Sequence, residues 1–374
     1  MMLLNIRPQV HRFDLFRHFA KDFKINKRDL IFTNDLLYRE FIKPLHLDAR
    51  VLCRDQFGKG EPNDMMMDAA SKEARKHPYE RVIAIGGGSI IDMAKMLAIR
   101  HDEPFAESFL KKAPPVKDKQ LIILPTTTGT GSEMTNISVA HLIEKDTKMA
   151  LTDDSLFADH AVLIPELAEN LPHGFFMLSV IDALVGAAES FLSPKANDFT
   201  RPLSLQSCQM ILEGLTDMIL KGEDRRKILT GDFLTASCIA GITFSNAGTG
   251  AVHALAYPLS SFYHVPHGET NYQFFAGIFD RYAKSVKDEK INVLIRLFRQ
   301  SLEKLGLGKE NVFYDTEKML EKLLPLKRLQ EYGMKPEEIG VFSQSVMDNQ
   351  QRLLKNSYII FGRREIEEIY WSRY

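Results

Sequence analysis

Three histidines stand close together in the segment AVHALAYPLSSFYHVPHGETN, residues 251–271. His253, His264 and His267 are among the chain's eleven histidines, and Pro258 and Pro266 fix the chain direction between them. A single histidine on an apolar face is usually a hydrogen-bonded core residue. Three so close also fit a pocket in which neutral imidazoles meet a metal or a substrate. The spacing alone leaves both interpretations open.

A glycine-rich stretch in RVIAIGGGSIIDMAKMLAI, residues 81–99, suggests a second kind of chemistry. The pattern predicts a strand that runs through glycines directly into a helix, where backbone N–H groups can approach a pyrophosphate. The GGGS spacing is not the GxGxxG of the usual dinucleotide fingerprint. Ser89 and Asp92 also match a capping box, which would explain both by helix initiation alone. We favour phosphate binding.

A third stretch, LPTTTGTGSEMTN (residues 124–136), places hydroxyls and glycines after another apolar run. Its hydroxyls can bond phosphate, ribose or adenine, or they can bond their own backbone in a surface turn. The carboxyl ends of parallel strands form the ligand crevice of an α/β sheet. Two such loops after strands of one sheet favour a shared ligand.

The elements that must position these residues change in type once along the chain. Apolar runs of strand length alternate with helical patterns in the first half, which predicts a parallel sheet covered by helices. The predicted strands lie in DLIFTN (29–34), ARVLCRDQF (49–57), RVIAIGGG (81–88), QLIILPTTTG (120–129) and HAVLIP (160–165). After Pro165, long stretches at helical spacing take over, as in 202–220 and 291–305.

The predicted fold is therefore α/β: an N-terminal Rossmann-like parallel-sheet domain followed by an all-α C-terminal domain. Two domains also suit the length of 374 residues, since one hydrophobic core usually supports roughly 250–300. We predict a dinucleotide-binding domain over residues 1–168 and a metal and substrate domain over residues 169–374.

Composition excludes several classes of partner. The 48 basic and 49 acidic residues give a formal net charge of −1, so the chain has no excess positive charge that would attract nucleic acid or an anionic membrane. Three widely spaced cysteines argue against a disulfide framework or a thiolate zinc site. We see no signal-peptide pattern and no apolar run near the ~18 residues of a membrane span. We expect a cytoplasmic protein that acts on a small molecule.

GGGSIIDMAK, LPTTTGTGSEMTN and VHALAYPLSSFYHVPHG, in this order, resemble the iron-containing (group III) alcohol dehydrogenase family, whose architecture is dehydroquinate-synthase-like. The resemblance covers essentially the whole chain. The GEPND stretch, Tyr257 and VMDNQQRLLKNSY look closest to its 4-hydroxybutyrate dehydrogenases. That implies a hydroxy acid or aldehyde acid as substrate, namely 4-hydroxybutyrate and succinate semialdehyde, and a homo-oligomer.

The resemblance implies a divalent metal, Fe²⁺ or alternatively Zn²⁺, held by Asp182, His253 and His267. His253, His267 and Tyr257 are the implied catalytic residues; Tyr257 takes a place where much of the family has a histidine, and a packed aromatic with a bonded hydroxyl is the alternative. The implied metal polarises the substrate hydroxyl while hydride moves to NAD. The implied cofactor residues are Gly87, Gly88, Ser89, Asp92, Thr126, Thr127, Thr130, Ser138 and Lys148.

One departure from the family concerns Gly186. The family usually has a further histidine ligand four residues after the aspartate, where this sequence has Gly186. Glu189, His173, His264 or a water could fill the vacancy. Two other functions therefore stay open: a cofactor-binding protein without turnover, and a metal-dependent lyase or polyol dehydrogenase on the same two-domain plan.

Overall fold

The computed structural model describes residues 2–100, 103–145 and 147–374. These residues form two compact units: Ile6–Leu171, and a second that joins the segment ending at Asn5 to Pro172–Tyr374. The α/β class followed by an all-helical half is confirmed. The division into independent domains at 168/169 stays a prediction.

The first unit is built on a parallel sheet. Six strands run parallel in the order β1-β10-β7-β4-β2-β3, and β5–β6 and β8–β9 form two antiparallel pairs. The strands are β1 (Gln9–Arg12), β2 (Asp29–Thr33), β3 (Arg50–Cys53), β4 (Arg81–Gly86), β5 (Ile99–Arg100), β6 (Val116–Lys117), β7 (Gln120–Pro125), β8 (Ile137–Leu142), β9 (Thr147–Thr152) and β10 (His160–Leu163). Each of the five predicted apolar runs contains a strand of the main sheet.

Both faces of this sheet are buried, which explains why its strands read as continuous apolar runs. Leu30 and Phe32 face one hydrophobic cluster, and Ile31 and Ile83 face the other, because side chains alternate along a strand. The helices of this unit are α1 (Phe16–Asp22), α2 (Asp35–Leu37), α3 (Asp64–Ala74), α4 (Gly88–Leu97) and α5 (Phe105–Phe109).

The second unit is helical throughout its described residues. Its helices are α6 (His173–Leu192), α7 (Thr200–Lys221), α8 (Arg225–Ala247), α9 (Ala251–Tyr263), α10 (His267–Ser285), α11 (Glu289–Glu303), α12 (Val312–Glu321), α13 (Glu338–Asn349), α14 (Gln351–Leu354) and α15 (Arg363–Arg373). Helix α6 packs against α7, α8 and α10, and α10 also packs against α9. This packing brings α6, α9 and α10 together.

Helices α6 and α8 are long and apolar enough to cross a membrane, judged by length and composition. The expectation that no run approaches that length was therefore too strong. Both helices are largely buried within the fold, and α6 carries Asp182 and Glu189 in its interior. Burial of this kind is typical of core helices in a soluble protein.

Candidate active site

The first component of the site is a carboxylate inside an apolar helix. Asp182 lies on α6 among buried residues, and its side chain is 10% exposed. An ionised carboxylate in such a place is costly unless a cation or hydrogen bonds compensate it. The surroundings of Asp182 must therefore provide positive charge or donors.

Two histidines reach Asp182 from neighbouring helices. His253 lies in the first turn of α9, and His267 is the first residue of α10. One ligand atom from each of the three side chains lies within 4.8 Å of the other two. His264, in the left-handed conformation at φ 53°, ends α9, and Pro266 precedes α10. The turn between the helices thus returns the chain to the site.

Gly268 permits the close approach that places His267. A Cβ atom at Gly268 would lie 2.2 Å from the backbone oxygen of Leu178 on α6. Any side chain there would push α10 away from α6. The His-Gly pair therefore combines a ligand atom with the closest possible contact between the two helices.

Glu189 holds the ring of His253 from behind. Its Oε2 accepts hydrogen bonds from His253 Nδ1 at 2.6 Å and from the Gly250 N–H at 2.9 Å, and its Oε1 accepts from the Val252 N–H at 2.7 Å. Because Nδ1 donates to the carboxylate, the neutral ring presents the lone pair of Nε2 to the site. Burial lowers the pKa of His253, but the hydrogen bond and charge of Glu189, with the charge of Asp182, raise it above the ordinary value.

Asn271 closes the site on its fourth side. Its Nδ2 donates to Asp182 Oδ1 at 2.7 Å and lies 3.3 Å from Nε2 of both His253 and His267. One carboxylate oxygen and two imidazole nitrogens thus converge on a single point. Three acceptors around one point form a cation site, and this mixed oxygen and nitrogen set suits Fe²⁺ or Zn²⁺.

The proposed substitutes for the missing histidine lie elsewhere or are already engaged. His173 begins α6, nine residues and about 13 Å of helix before Asp182, where its Nε2 donates to Leu323 O and its Nδ1 lies 2.6 Å from Glu223 Oε1. His264 is exposed at the end of α9, and Glu189 is committed to three donors. A Cβ atom at Gly186 would meet nothing within 4 Å.

Tyr257 lies one helical turn after His253 on α9 and is partly buried. No hydrogen bond to its hydroxyl is formed by any described residue, so the bonded hydroxyl of the packed-aromatic alternative would need a partner outside the protein. Its catalytic role stays a prediction.

In the first unit, the two predicted ligand loops leave the same edge of the sheet. Strands β4 and β7 are parallel neighbours, and their last residues, Gly86 and Pro125, pair with each other. A Cβ atom at Gly87 would lie 3.1 Å from Thr127 Cγ2, and one at Gly88 would lie 3.1 Å from Thr130 Cγ2. The glycines therefore let the loops pack closely.

This edge fits a phosphate group. Gly87 precedes α4 without any side-chain cap, and no described acceptor bonds the N–H of Gly88 or Ser89. The capping-box alternative is wrong, because Ser89 already lies inside the helix. The hydroxyl of Thr127 is buried and has no hydrogen-bond partner in the part of the chain that the structure describes. Free N–H groups and an orphaned hydroxyl at a helix N-terminus are the donors that a pyrophosphate requires.

The other predicted cofactor residues differ in accessibility. Thr126 is buried after β7, and the Ser138 hydroxyl donates to Asp92 O at 3.0 Å. Burial raises the pKa of Asp92 to about 6. Lys148 bonds Glu61 at 2.8 Å and is 18% exposed, so it is not a freely solvated lysine. Their contacts with a cofactor stay predictions.

Two family models cover nearly the whole chain. Residues 11–165 match the model for iron-containing alcohol dehydrogenase, and residues 176–374 match the model for the C-terminal part of the Fe-containing alcohol dehydrogenase family. The 4-hydroxybutyrate dehydrogenase of Clostridium kluyveri is 44% identical over 375 residues, which span 100% of both chains.

The chain belongs to the iron-containing alcohol dehydrogenase family. It is a metal-dependent oxidoreductase that acts on a CH–OH group, as the sequence predicted.

Other known proteins share shorter matches or the fold alone. Long-chain-alcohol dehydrogenase 1 of Geobacillus thermodenitrificans is 38% identical over 53% of this chain and 50% of its own. The crystal structure of a 1,3-propanediol oxidoreductase has a TM-score of 0.82 at 18% identity and covers 100% of both chains. Sulfoacetaldehyde reductase from Bifidobacterium kashiwanohense, solved with NAD⁺, has a TM-score of 0.82 at 21% identity and covers 100% of this chain and 99% of its own.

Asn271 and the orienting role of Glu189 were not predicted for this family member. Asn271 follows His267 by four residues, so helical spacing already places it on the same face. That spacing was the available signal. Glu189 was considered only as a substitute ligand, because its contact with His253 depends on how α6 meets α9.

Proposed function

We propose that this enzyme interconverts 4-hydroxybutyrate and succinate semialdehyde with NAD as the hydride carrier. The observation that carries the proposal is the convergence of Asp182, His253 and His267 on one point. The full-length likeness to a 4-hydroxybutyrate dehydrogenase supports the choice of substrate.

Asp182, His253 and His267 would hold the metal, which polarises the substrate hydroxyl or carbonyl when bound. Glu189 keeps the His253 ring oriented with its Nε2 facing the site. Tyr257, on the same face of α9, is positioned to orient the substrate and to exchange a proton through its unbonded hydroxyl.

Gly87, Gly88 and the N–H groups that begin α4 would hold the pyrophosphate, with Ser89 and Thr127 as hydroxyl donors. The remaining contacts in our proposal come from Asp92, Thr126, Thr130, Ser138 and Lys148. When bound, NAD accepts the hydride from the carbon that bears the hydroxyl.

Two carboxylates support NAD over NADP. The Asp35 N–H donates to Asp55 Oδ2 at 2.9 Å, which places these residues together beyond the paired strands β2 and β3. Burial and the two carboxylates raise the pKa of Cys53 to about 12. Negative charge at this edge disfavours the 2′-phosphate of NADP.

Arg352 supports an anionic substrate. Arg352 is exposed on α14, which packs against α9. Its positive charge lowers the pKa of His253, and no other basic side chain has a larger effect on that pKa. Within the described chain, no carboxylate pairs with its guanidinium. An exposed guanidinium on a helix that packs against α9 fits the carboxylate of 4-hydroxybutyrate.

We also propose a cytoplasmic homo-oligomer. The three cysteines are free and buried, which suits a reducing compartment. Light scattering during gel filtration measures the oligomeric state, and a monomer would contradict this part of the proposal.

The test is metal analysis of protein purified without oxygen, combined with NADH-linked assays. We expect bound iron or zinc and a preference for succinate semialdehyde over polyols and simple alcohols. His253→Ala and His267→Ala should lose metal and activity but retain NADH binding. Tight NADH binding without metal or turnover would favour a cofactor-binding protein, and preferred turnover of a polyol would favour the polyol dehydrogenase.

A further inference from the structure

The side chain of Asn271 lies where the three acceptor atoms converge. It is fully buried on α10, one turn after His267. Its Nδ2 is within 2.7 Å of Asp182 Oδ1 and 3.3 Å of each imidazole Nε2. The two amide N–H groups can thus donate to two of these three acceptors, in the place where a cation would bind all three.

The other end of the same amide finds no partner among the described residues. Asn271 Oδ1 is buried and accepts no hydrogen bond from any of them. An orphaned buried carbonyl oxygen costs free energy and calls for an explanation. The two ends of an amide have nearly the same size, so half a turn about the Cβ–Cγ bond exchanges donor and acceptor without a change of shape. The turned amide would point an unpaired oxygen at the three ligands.

Helix α6 leaves a place for another ligand unfilled. Gly186 lies one turn after Asp182 and is buried, and a Cβ atom there would meet nothing within 4 Å. The described part of the chain brings no other histidine or carboxylate into the cluster. A carbonyl oxygen is a suitable ligand for a divalent cation.

We propose that Asn271 Oδ1 is the fourth protein ligand of the metal. It replaces the histidine ligand that the family usually has at the position of Gly186. Without metal, Asn271 Nδ2 stabilises Asp182 and the two histidines. With metal, the amide turns so that its oxygen joins them. This inference rests on the proposed metal site.

The direction in which Asn271→Ala changes the metal affinity distinguishes a ligand from a side chain that only occupies the site. If Asn271 is a ligand, Asn271→Ala lowers the affinity for Zn²⁺ and for anaerobic Fe²⁺ by about tenfold or more, as ligand-supporting groups commonly do. If the amide only occupies the site, it competes with the metal, and Asn271→Ala binds at least as tightly as wild type. Competition with a chelator measures both affinities, and the second result overturns the proposal.

Asn271→Asp keeps the test usable if the alanine variant folds poorly. It retains an oxygen at the same position, so its metal affinity should equal or exceed that of wild type. Its metal-free form should be less stable, because a second carboxylate replaces the donor to Asp182. Metal affinity below that of wild type in a folded Asn271→Asp protein would contradict a ligand role.

Gly186→His supplies an independent check, because it restores the histidine ligand that the family usually has at this position. We expect it to bind metal more tightly than wild type and to make Asn271→Ala cost less than about threefold, since neighbouring ligands are not additive. An equal cost of Asn271→Ala in both backgrounds would mean that the amide does not replace the histidine.

Gln273→Ala is the matched control. Gln273 is a second buried amide on α10, and it donates to Lys327 O and Tyr332 Oη at 3.0 Å each. We expect it to lower stability and leave metal affinity unchanged. With Co²⁺ in the site, Asn271→Ala, but not Gln273→Ala, should change the visible absorption bands that report coordination. If wild type itself bound no metal, the proposed function would fail rather than the role of Asn271.

Discussion

Glu189→Gln is the sharpest test of how the metal ligands are oriented. Glu189 is 1% exposed, and its two oxygens accept hydrogen bonds from His253 Nδ1 and from the N–H groups of Gly250 and Val252. Glutamine has the same shape, but one of its ends donates. The substitution therefore places an NH₂ group against at least one donor without opening a cavity.

The magnitude follows from the lost bonds. A hydrogen bond to a charged group contributes about 1.5–3 kcal/mol, and a buried donor left unsatisfied costs about 1–3 kcal/mol. If the amide nitrogen faces Val252, one bond is lost; if it faces His253 and Gly250, two are lost. We expect a loss of about 2–5 kcal/mol in the unfolding free energy of the metal-free protein. Metal affinity should fall about 10–100-fold, because His253 loses its orienting acceptor.

The assays are urea denaturation of the metal-free protein and chelator competition for Zn²⁺. Glu223→Gln is the control, since Glu223 Oε1 also lies 2.6 Å from a histidine nitrogen, His173 Nδ1, but its side chain is 57% exposed. An exposed pair of this kind contributes about 0–1 kcal/mol, and it lies at the far end of α6. Metal affinity within about twofold of wild type in Glu189→Gln would refute the orienting role of Glu189.

Three further predictions concern the cofactor loop, the substrate and pH. In Gly88→Val, a Cβ atom 3.1 Å from Thr130 Cγ2 displaces the loop that contains Thr130. The NADH affinity, measured by fluorescence, should therefore fall about tenfold or more while the protein stays folded. An unchanged NADH affinity would contradict the assignment of these loops to cofactor binding. Arg352→Leu should raise the KM for 4-hydroxybutyrate about tenfold or more, but not the KM for 1,4-butanediol, which has no carboxylate. Lys355→Leu on the same segment is the control. Equal effects of Arg352→Leu on both substrates would exclude a contact with the substrate carboxylate. Burial raises the pKa of Glu133 from 4.5 to about 7, so the folded protein holds this proton more tightly than the unfolded chain. The stabilisation that protonated Glu133 gives the folded protein is complete below pH 4.5 and is lost as the pH rises through 7. Between pH 4.5 and 7, the unfolding free energy of wild type should therefore fall by about 3 kcal/mol relative to that of Glu133→Gln. Parallel denaturation curves over this range would contradict the shift.

The central strands were predictable because their burial on both faces makes them continuous apolar runs. The edge strand β1, QVHR, was missed, since its mostly exposed residues have no such run. The β8–β9 hairpin was missed as well. Strand β8 alternates between buried and partly exposed residues, β9 has one buried residue, and both lie outside the main sheet, so a search for apolar runs does not find them.

The ligand residues were predictable for a different reason. Asp182, His253 and His267 come from three helices, and only the resemblance to a known family linked them. The positions of Glu189 and Asn271 depend on how α6, α9 and α10 cross, which local spacing does not determine. The capping-box alternative failed because α4 begins at Gly88, so Gly87 and not Ser89 is the N-cap residue.

The way the helices cross also explains how a site built for a cation can fold without one. Gly268 lets α10 approach the backbone of α6 at Leu178, and this contact holds His267 beside Asp182 whether or not a metal is bound. Three acceptors held together without a donor would destabilise the metal-free chain. Asn271 lies on the same helix as His267, so its donor reaches the acceptors through the same contact. A metal must therefore interact with the three acceptors more strongly than the Asn271 amide does. The stability that the metal adds to the folded protein is the difference between these two interaction free energies.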